Sequence, residues 1–587
     1  MHKITGDDGS ENLKKHHHKQ VAGFREKTLN DFQKVTSSTT EASNIAKYLD
    51  MMAKSHPGQD AIIVTENLVK SSDFEQDSLS YEQLQADSEK IALSLIASGF
   101  RKGHRAVLMI PPSFELFTLT FALFKAGIVP IFIDPGMGLK NLKACLRDAA
   151  PHYFIGIAKA HIARILLGWQ RGKLEKTIMV GSSRLNCDFS YADLKNKNNL
   201  DRSALPEISA DDLAAILFTS GSTGLPKGVK YTHANFDAQI KALKNAFQIE
   251  PGEIDLCTFP LFALFAPALG MTAVIPEMDF TKPAEVEPTA IFRAIEHFKV
   301  NNVFGSPALL ARLADSSMAS QYELTSLCRV ISAGAPVPGS TLKAIKARLP
   351  EHVAVYTPYG ATEALPVAVC SSDFLLQDDI VKKTNSGHGV CVGRPVPSIS
   401  VKIIKITDQV IGSLAAAPLC KAGEIGEIIV QGPQVTAGYF NRQLADRQSK
   451  VNDGSLFYHR MGDLGYFDEA GNLWFCGRKS HRIEKGDRST VFTIPGESIF
   501  NSDDRIKRSA IVAVGRTTVL CVETKKPIKG PALTRLTEDL KQIAKQYEQT
   551  RTIEKILYHK SFPVDIRHNS KIFREKLAVW AEKELRL

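Results

Sequence analysis

The sequence predicts an α/β fold: a large N-terminal domain of layered sheets and helices, followed by a small, mobile α+β C-terminal domain. Helical and strand-like apolar patterns alternate from about residue 46 to about residue 477, which favours layers with largely parallel strands. The pattern restarts after Arg478 with two short strands and a helix. The charge changes there too, since residues 478–587 hold 24 Lys and Arg against 14 Asp and Glu.

The elements can be followed along the chain. Residues 1–45 are polar and rich in Ser and Thr, which is typical of a mobile tail. Residues 46–478 form the predicted large domain, in which the segment SFELFTLTFALFKAG has the apolar spacing of a buried helix and IVPIFIDPG that of a strand ending in a turn. Residues 479–587 form the predicted lid domain, with strands at SAIVAVG and TTVLCVET and a helix over residues 533–547.

Composition limits the function classes. The chain of 587 residues is 44% hydrophobic and 23% charged, as in ordinary globular proteins. Its nine cysteines form no C-x-x-C pair, and the first residues lack an apolar signal segment. Both features favour a reducing, cytoplasmic location over a disulfide framework or a zinc site. No basic motif with regularly interleaved aromatic residues appears, so nucleic-acid binding is not expected.

A Gly/Ser/Thr-rich loop follows the apolar run at residues 213–218. Its glycines let backbone N–H groups approach a phosphate closely, while hydroxyl groups and a lysine add donors and charge. It is not the common P-loop, because no Ser or Thr follows the lysine. The residues expected to act here are Thr219, Ser220, Gly221, Ser222, Thr223, Gly224 and Lys227. Downstream, Thr232 is placed to cap the next helix.

This loop resembles the signature loop of the AMP-forming adenylating enzymes, which include acyl-CoA synthetases, luciferases and the adenylation domains of peptide synthetases. The segment YGATE at residues 359–363 resembles the YGxTE motif of that family. The resemblance extends from about residue 46 to the C-terminal end. It implies ATP and Mg²⁺ as cofactors and a first step in which a carboxylate attacks the α-phosphate of ATP.

The resemblance also assigns roles to single residues. Thr362 would bind the α-phosphate, Glu363 would hold Mg²⁺, and Thr219 and Lys571 would act with Glu363 in catalysis. Lys571 matches the lysine near the C-terminus of family members. The nucleotide would be bound by Ser220, Gly221, Ser222, Thr223, Gly224, Lys227, Gly334, Ala335, Pro336, Tyr359, Gly360, Thr362, Asp463 and Arg478. Of these, Tyr359 would stack on adenine, and Asp463 and Arg478 would bind the ribose.

An uncharged segment runs from Leu256 to Pro276 and is long enough to span a bilayer. Because three prolines and a glycine would break a single helix, we expect buried chain that lines an apolar pocket, with at most peripheral membrane contact. Phe262, Phe265 and Gly334 are the predicted substrate contacts.

Three hypotheses for the reaction remain. The segments around Phe262, Glu363 and Lys571 are most similar to the β-lactone synthetases of bacterial long-chain olefin biosynthesis. These close a (2-alkyl-)3-hydroxy acid onto its own activated carboxyl group, and the resemblance implies thiolase-like, hydrolase-like and reductase partners. The second hypothesis is a fatty acyl-CoA synthetase, which Ala263 disfavours because many such ligases carry histidine there. The third is a non-catalytic nucleotide-binding scaffold.

Overall fold

A computed structural model describes residues 44–66, 75–169, 172–182, 186–219, 226–485, 489–565 and 571–586. The predicted tail therefore lies outside the described residues, apart from its last two positions.

The strands and helices are named in chain order. Up to residue 219 they are α1 (Lys47–Ser55), β1 (Asp60–Glu66), β2 (Glu75–Ser80), α2 (Tyr81–Ala97), β3 (Arg105–Met109), α3 (Phe114–Lys125), β4 (Val129–Phe132), α4 (Leu139–Ala149), β5 (Tyr153–Ile157), α5 (Ala158–Leu166), β6 (Lys176–Val180), β7 (Phe189–Ser190), α6 (Tyr191–Asn196) and β8 (Leu213–Thr219). From residue 227 to residue 371 they are β9 (Lys227–Thr232), α7 (His233–Phe247), β10 (Ile254–Cys257), α8 (Pro260–Ala263), α9 (Ala266–Leu269), β11 (Thr272–Ile275), α10 (Pro288–Phe298), β12 (Asn302–Phe304), α11 (Pro307–Ala314), β13 (Arg329–Ile331), α12 (Gly339–Lys346), β14 (Ala354–Ala361) and β15 (Ala364–Ser371). The remaining elements are α13 (Ser372–Leu375), α14 (Asp378–Lys383), β16 (Val390–Pro395), β17 (Ser400–Ile404), β18 (Gly426–Gln431), α15 (Gln443–Ser449), β19 (Lys450–Asp453), β20 (Leu456–Phe467), β21 (Leu473–Arg478), β22 (Ile483–Glu484), β23 (Thr490–Val491), α16 (Thr493–Asn501), β24 (Ile506–Val514), β25 (Thr517–Thr524), α17 (Pro531–Gln546), β26 (Lys555–Tyr558) and α18 (Arg574–Arg586).

Two large sheets carry the N-terminal part of the chain. The first has seven strands in the order β7-β6-β5-β3-β4-β8-β9 and is parallel except for the β8–β9 pair. The second has fourteen strands, of which six neighbouring ones, β1, β11, β10, β12, β13 and β14, are parallel. Helix α3 is buried along most of its length, as its apolar spacing predicts. The layered α/β prediction is confirmed.

The prediction of largely parallel strands is wrong for the later part of the second sheet. From β14 onward each strand pairs antiparallel with its neighbour, in the order β14-β15-β16-β21-β20-β18-β17. Strand β15 follows β14 after only two residues, a connection too short for the crossover that parallel pairing needs. The tight turn between these two strands holds Thr362 and Glu363.

Side-chain caps fix the start of α2 and α7. The Ser80 hydroxyl accepts a hydrogen bond from the backbone N–H of Gln83, and the side-chain oxygen of Gln83 in turn accepts one from the backbone N–H of Ser80. Thr232 and Asn235 form the same reciprocal box at the start of α7, as expected for Thr232. Because Thr232 ends β9, this cap sets the point where the chain turns from the sheet into the helix.

The uncharged segment folds as β10, α8, α9 and β11 rather than as one helix. Pro260 and Pro267 lie in the first turns of α8 and α9, and Gly270 ends α9 with φ +86°. No helix within the described ranges is both long and apolar enough to cross a bilayer.

The C-terminal residues have apolar cores of their own. Strands β24, β25 and β26 form a three-stranded sheet, against which α16 and α18 pack. Two core clusters draw only on residues 483–585. This module contacts the large domain where α16 packs on β21 and where Gln549 donates to the carbonyl oxygen of Gly387 over 3.4 Å. Arg482 also pairs with Asp408 at 2.5 Å.

Candidate active site

A cavity of about 1080 Å³ lies where the two large sheets meet the C-terminal module. One part of its wall is polar and one part is apolar. Both parts include residues singled out from the sequence, which are Lys227, Phe262, Phe265, Gly334, Gly360, Thr362, Glu363, Arg478 and Lys571. The fold therefore brings residues that lie more than 300 positions apart in the chain into one cavity.

The predicted phosphate loop joins β8 to β9. Thr219 is the last residue of β8 and pairs in register with Lys227 at the start of β9. Ser220, Gly221, Ser222, Thr223 and Gly224 lie outside the described residues. The β8–β9 pairing nevertheless fixes both ends of the loop at the cavity, because Lys227 lines it.

Glu363 is held by an aromatic side chain that the sequence reasoning missed. The hydroxyl of Tyr439 donates to Glu363 Oε1 over 2.7 Å, and the ammonium of Lys227 lies 4.9 Å from the centre of the Tyr439 ring. The backbone carbonyl of Thr362 accepts a hydrogen bond from Tyr231. A hard carboxylate oriented in this way, facing a cavity, suits Mg²⁺, and the residues present therefore fit that ion.

Tyr439 also connects the two large sheets. Its segment runs beside β9, because Lys230 N–H donates to Gly438 over 3.0 Å and Phe440 N–H donates to Gly228 over 2.7 Å. The Tyr439 side chain reaches Glu363, which belongs to the second sheet. The carboxylate is thus fixed relative to the strand that begins with Lys227.

The predicted ribose-binding residues form an ion-paired group around the buried Asp463. Asp463 on β20 lies directly opposite Arg478 on β21, and their side chains pair at 2.9 Å. The hydroxyl of Tyr359 donates to the other oxygen of Asp463 over 2.7 Å. Burial raises the pKa of Asp463, whereas Arg478 opposes the shift. The carboxylate is therefore oriented before any ligand binds.

Of the three residues predicted to contact adenine after β13, only Gly334 lines the cavity. Gly334, at φ +96°, lines the cavity just after β13, and a side chain there would be strained. Ala335 and Pro336 follow Gly334 in the chain, but they are not among the described residues that line the cavity. Tyr359 faces Asp463 with its hydroxyl, and its ring lies 6.1 Å from that of Phe475.

Lys571 reaches the cavity from the C-terminal module. It lies on a return of the chain in which Asp565 N–H donates to its carbonyl oxygen over 2.9 Å. Burial lowers the pKa of Lys571, and the nearby Arg478 lowers it further, while Asp565 and Asp463 oppose the shift. Lys571 lines the same cavity as Arg478, and its action near the α-phosphate stays a prediction.

Two further nitrogen-bearing side chains, Lys450 near Glu363 and His459 in the cavity wall, were not foreseen from the sequence. Burial lowers the pKa of Lys450 to about 7, although Glu363 opposes the shift, and the ammonium donates to the carbonyl of Thr436. His459 lines the cavity, and burial together with Lys450 and Lys227 keeps its pKa well below the ordinary value. It is therefore a neutral imidazole at pH 7.

The apolar wall is built in part from the uncharged segment. Phe262 stacks on Phe304 with ring centres 4.0 Å apart, and Phe265 lies 6.2 Å from Phe262. Ala263, the position where histidine would favour an acyl-CoA ligase, is buried. Other apolar residues of this wall include Phe121, Phe124, Phe132, Phe236, Ile240, Phe259, Leu261, Leu264 and Ala268. Such a wall suits an alkyl chain.

A second group of potential metal ligands, His104, His152 and Glu175, lies elsewhere. Nδ1 of His152 accepts a hydrogen bond from Arg105 N–H over 3.0 Å, and Nδ1 of His104 lies 2.9 Å from the Tyr153 hydroxyl. The two rings stack with centres 4.0 Å apart. Both Nδ1 atoms thus have hydrogen-bond partners, and none of the three residues lines the cavity described above.

Comparison with known proteins agrees with this geometry. Residues 49–440 match the model of the AMP-binding enzyme family. The chain is 44% identical over 555 residues to an olefin β-lactone synthetase of Xanthomonas campestris, covering 93% of this chain and 98% of that protein. It is 43% identical to the olefin β-lactone synthetase of Stenotrophomonas maltophilia, covering 92% of this chain and 98% of that protein.

Among solved structures, the amide bond synthetase McbA of Marinactinospora thermotolerans superimposes with a TM-score of 0.74 at 20% identity, covering 92% of this chain and all of that one. This likeness confirms the fold. The identity to the two synthetases extends over nearly their whole length and includes both the cavity and the C-terminal module. The chain therefore belongs to the AMP-binding enzyme family and, within it, to the group of the olefin β-lactone synthetases.

Proposed function

We propose that this protein uses ATP and Mg²⁺ to activate a long-chain (2-alkyl-)3-hydroxy acid as its acyl-adenylate and then closes it to a β-lactone. The observation that carries the proposal is the continuity of the cavity. Lys571, Arg478 and Glu363 line its polar part, and Phe262 and Phe304 line its apolar part. A substrate whose carboxylate lies at the junction of the two parts would have its alkyl chain in the apolar part. Its carboxylate would then face a nucleotide bound in the polar part.

The first step is the transfer of AMP. A carboxylate oxygen attacks the α-phosphorus of ATP, a new C–O–P linkage forms, and the bond to the β-phosphate breaks to release pyrophosphate. Lys571 supplies a fixed positive charge where negative charge develops on the α-phosphate. Glu363 would hold Mg²⁺, which neutralises phosphate charge. No general base is needed, because a carboxylic acid is already ionised at pH 7.

The second step is intramolecular. The 3-hydroxyl oxygen attacks the acyl carbon of the adenylate, the ring C–O bond forms, AMP leaves with the bonding electrons, and the hydroxyl proton is released. Holding the hydroxyl near the carbonyl gives a high effective molarity, which lets closure compete with water. The aromatic wall around Phe262 would hold the alkyl chains and so fix that geometry.

Product analysis tests this assignment directly. The purified chain is incubated with ATP, Mg²⁺ and a 2-alkyl-3-hydroxy acid, with and without CoA, and AMP and lipid products are measured. We expect a β-lactone and AMP without CoA, whereas a plain fatty acid should stall as the adenylate. A thioester from plain fatty acid and CoA, with no lactone from the hydroxy acid, would identify an acyl-CoA synthetase instead. Absence of AMP formation from either acid would identify a scaffold.

Three wider assignments belong to the same proposal. A cytoplasmic location is supported by the nine cysteines, all of which are free thiols. The division into residues 46–478 and 479–587 is supported by the separate cores of the C-terminal module. Thiolase-like, hydrolase-like and reductase partners would supply the hydroxy acid and consume the lactone.

A further inference from the structure

One face of the seven-stranded sheet is covered by α4 and α5 and is unusually basic. Between residues 139 and 173 the sequence has seven Lys or Arg residues and a single acidic residue, Asp148. Asp148 is paired with Arg442 at 3.1 Å, so it offers little negative charge to solvent. The exposed basic side chains of this stretch are Lys140, Lys143, Arg147, Lys159 and Lys173.

The same face exposes aliphatic side chains. Ile165 is 59% exposed and Leu166 is 79% exposed, at the C-terminal end of α5. Leu139, at the start of α4, is 60% exposed. Ile162 and Leu167 add to this group. Both helices pack their inner sides on one apolar core, which places their outer sides on a common face. Clustered aliphatic residues on a surface of this kind mark an interaction site.

This basic-apolar face, defined by the exposed residues of α4 and α5, adjoins the cavity. Met137, which precedes α4, lines the cavity. Asn441 and Arg442 also line it and contact Asp148 of α4, Asn441 through a hydrogen bond of 3.1 Å to its carbonyl oxygen. Leu444 lines the cavity and is 68% exposed, so the cavity reaches the surface close to α4.

We propose that the basic-apolar face docks this protein on an anionic lipid surface. Aliphatic side chains beside lysines are the combination that binds at the boundary between acyl chains and acidic headgroups. The excess of positive charge favours a negatively charged partner. The aliphatic side chains favour a partner with an apolar layer into which they can insert. Docking there would place the cavity opening beside the bilayer. The proposal does not depend on lactone formation.

Vesicle flotation with the full chain tests the proposal. Vesicles of phosphatidylcholine alone are compared with an equal mixture of phosphatidylcholine and phosphatidylglycerol, at low and at high salt. We expect binding to the mixed vesicles that weakens with salt, and little binding to phosphatidylcholine alone. Absence of binding to the mixed vesicles would overturn the proposal and leave the face to a protein partner.

Two variants assign the binding to this face. The triple change Lys140→Gln, Lys143→Gln and Arg147→Gln should lower the partition coefficient about 100-fold, at about fivefold per charge. The matched control changes three exposed lysines of the C-terminal module, Lys529→Gln, Lys541→Gln and Lys545→Gln, and should retain most of the binding. Equal losses in the two triple variants would show a non-specific effect of net charge and overturn the assignment.

The second variant, Ile165→Asp with Leu166→Asp, should lower binding at least tenfold. Its control is Val410→Asp with Leu456→Asp, which alters residues of similar exposure elsewhere. Thermal unfolding and ATP–pyrophosphate exchange with a short, water-soluble acid should be unchanged in each variant. If the double aspartate variant fails to fold, the triple glutamine variant at Lys140, Lys143 and Arg147 decides whether this face binds the vesicles.

Discussion

Lys571 is the residue whose loss should affect chemistry most directly. It lines the cavity beside Arg478, although the large domain supplies most of the other polar lining. We expect Lys571→Ala to lower the rate of adenylation by about 100-fold or more while ATP binding persists, because a preorganised positive charge is lost. ATP–pyrophosphate exchange and equilibrium nucleotide binding measure the two effects. The exposed Lys576 provides the control, and near wild-type exchange by Lys571→Ala would remove Lys571 from the site.

Tyr439 should set how tightly the Glu363 carboxylate binds Mg²⁺. Tyr439→Phe removes the 2.7 Å hydrogen bond to Oε1 and leaves the ring next to Lys227. A hydrogen bond to a charged group contributes about 1.5–3 kcal/mol, so the Mg²⁺ concentration for half-maximal activity should rise at least about tenfold. The maximal rate at saturating Mg²⁺ should change much less.

The matched control for this prediction is Tyr458→Phe, which removes a hydroxyl group that lies 3.1 Å from Ser400. A Mg²⁺ titration of pyrophosphate exchange compares the three proteins. If Tyr439→Phe shows the wild-type titration curve, the hydrogen bond does not position the ligand.

At the scale of elements, the segment of α8 and α9 should determine the preferred chain length. Phe262→Asp places a charge on the apolar wall where Phe262 stacks on Phe304. Each buried methylene group contributes ~0.8 kcal/mol, so long chains should lose more affinity than short ones. KM values across a series of acids measure this, with Leu456→Asp as the control for an added surface charge. An equal loss at every chain length would point to misfolding or to a pocket elsewhere.

The chain just before helix α1 is tied to α7 through a buried histidine. His233 Nδ1 accepts a hydrogen bond from Ile45 N–H over 3.1 Å, and burial lowers the pKa of His233 to about 4 from an ordinary value of 6.5. Since the unfolded chain binds the proton more readily, the free energy of unfolding falls as the pH falls from 6.5 towards 4. The expected contribution is about 3 kcal/mol.

His233→Gln tests this contribution, because glutamine offers an acceptor to Ile45 but does not titrate. Urea unfolding at several pH values should show a shallower loss of stability in the variant than in the wild type. All other titrating groups act equally in both proteins, so parallel curves would contradict the assignment to His233.

The elements that the sequence predicted best depend on local signals. The apolar run of β8, the Thr232 cap and the proline breaks of the uncharged segment each act within a few residues. The antiparallel half of the second sheet could not be foreseen, because strand direction depends on connections whose lengths the apolar pattern does not define. The contact of Tyr439 with Glu363 spans 76 residues and follows from tertiary packing alone. The burial of Lys450 was missed for the same reason.

At the scale of the whole molecule, the C-terminal module must present Lys571 as a rigid unit. Helix α18 begins at Arg574, three residues after Lys571, and Arg574 pairs with Glu497 of α16 at 2.5 Å. Glu497 is only 3% exposed, and burial raises its pKa while Arg574 opposes the shift. Its other hydrogen bond comes from Ile511 N–H over 2.9 Å. This ion pair therefore fixes the helix that follows Lys571 to the core of the module.

Arg574→Met should thus act on both stability and chemistry. It leaves a buried carboxylate without its partner, which costs about 3–5 kcal/mol, and it should also lower adenylation by loosening the position of Lys571. Replacing both partners, Arg574→Met with Glu497→Gln, removes the uncompensated charge and should recover most of the stability. Calorimetry and pyrophosphate exchange on the two variants separate the effects. If the double variant recovers both stability and pyrophosphate exchange activity, the packing of the module is what positions Lys571. If it recovers stability but not exchange activity, the Arg574–Glu497 pair itself sets the position of the lysine.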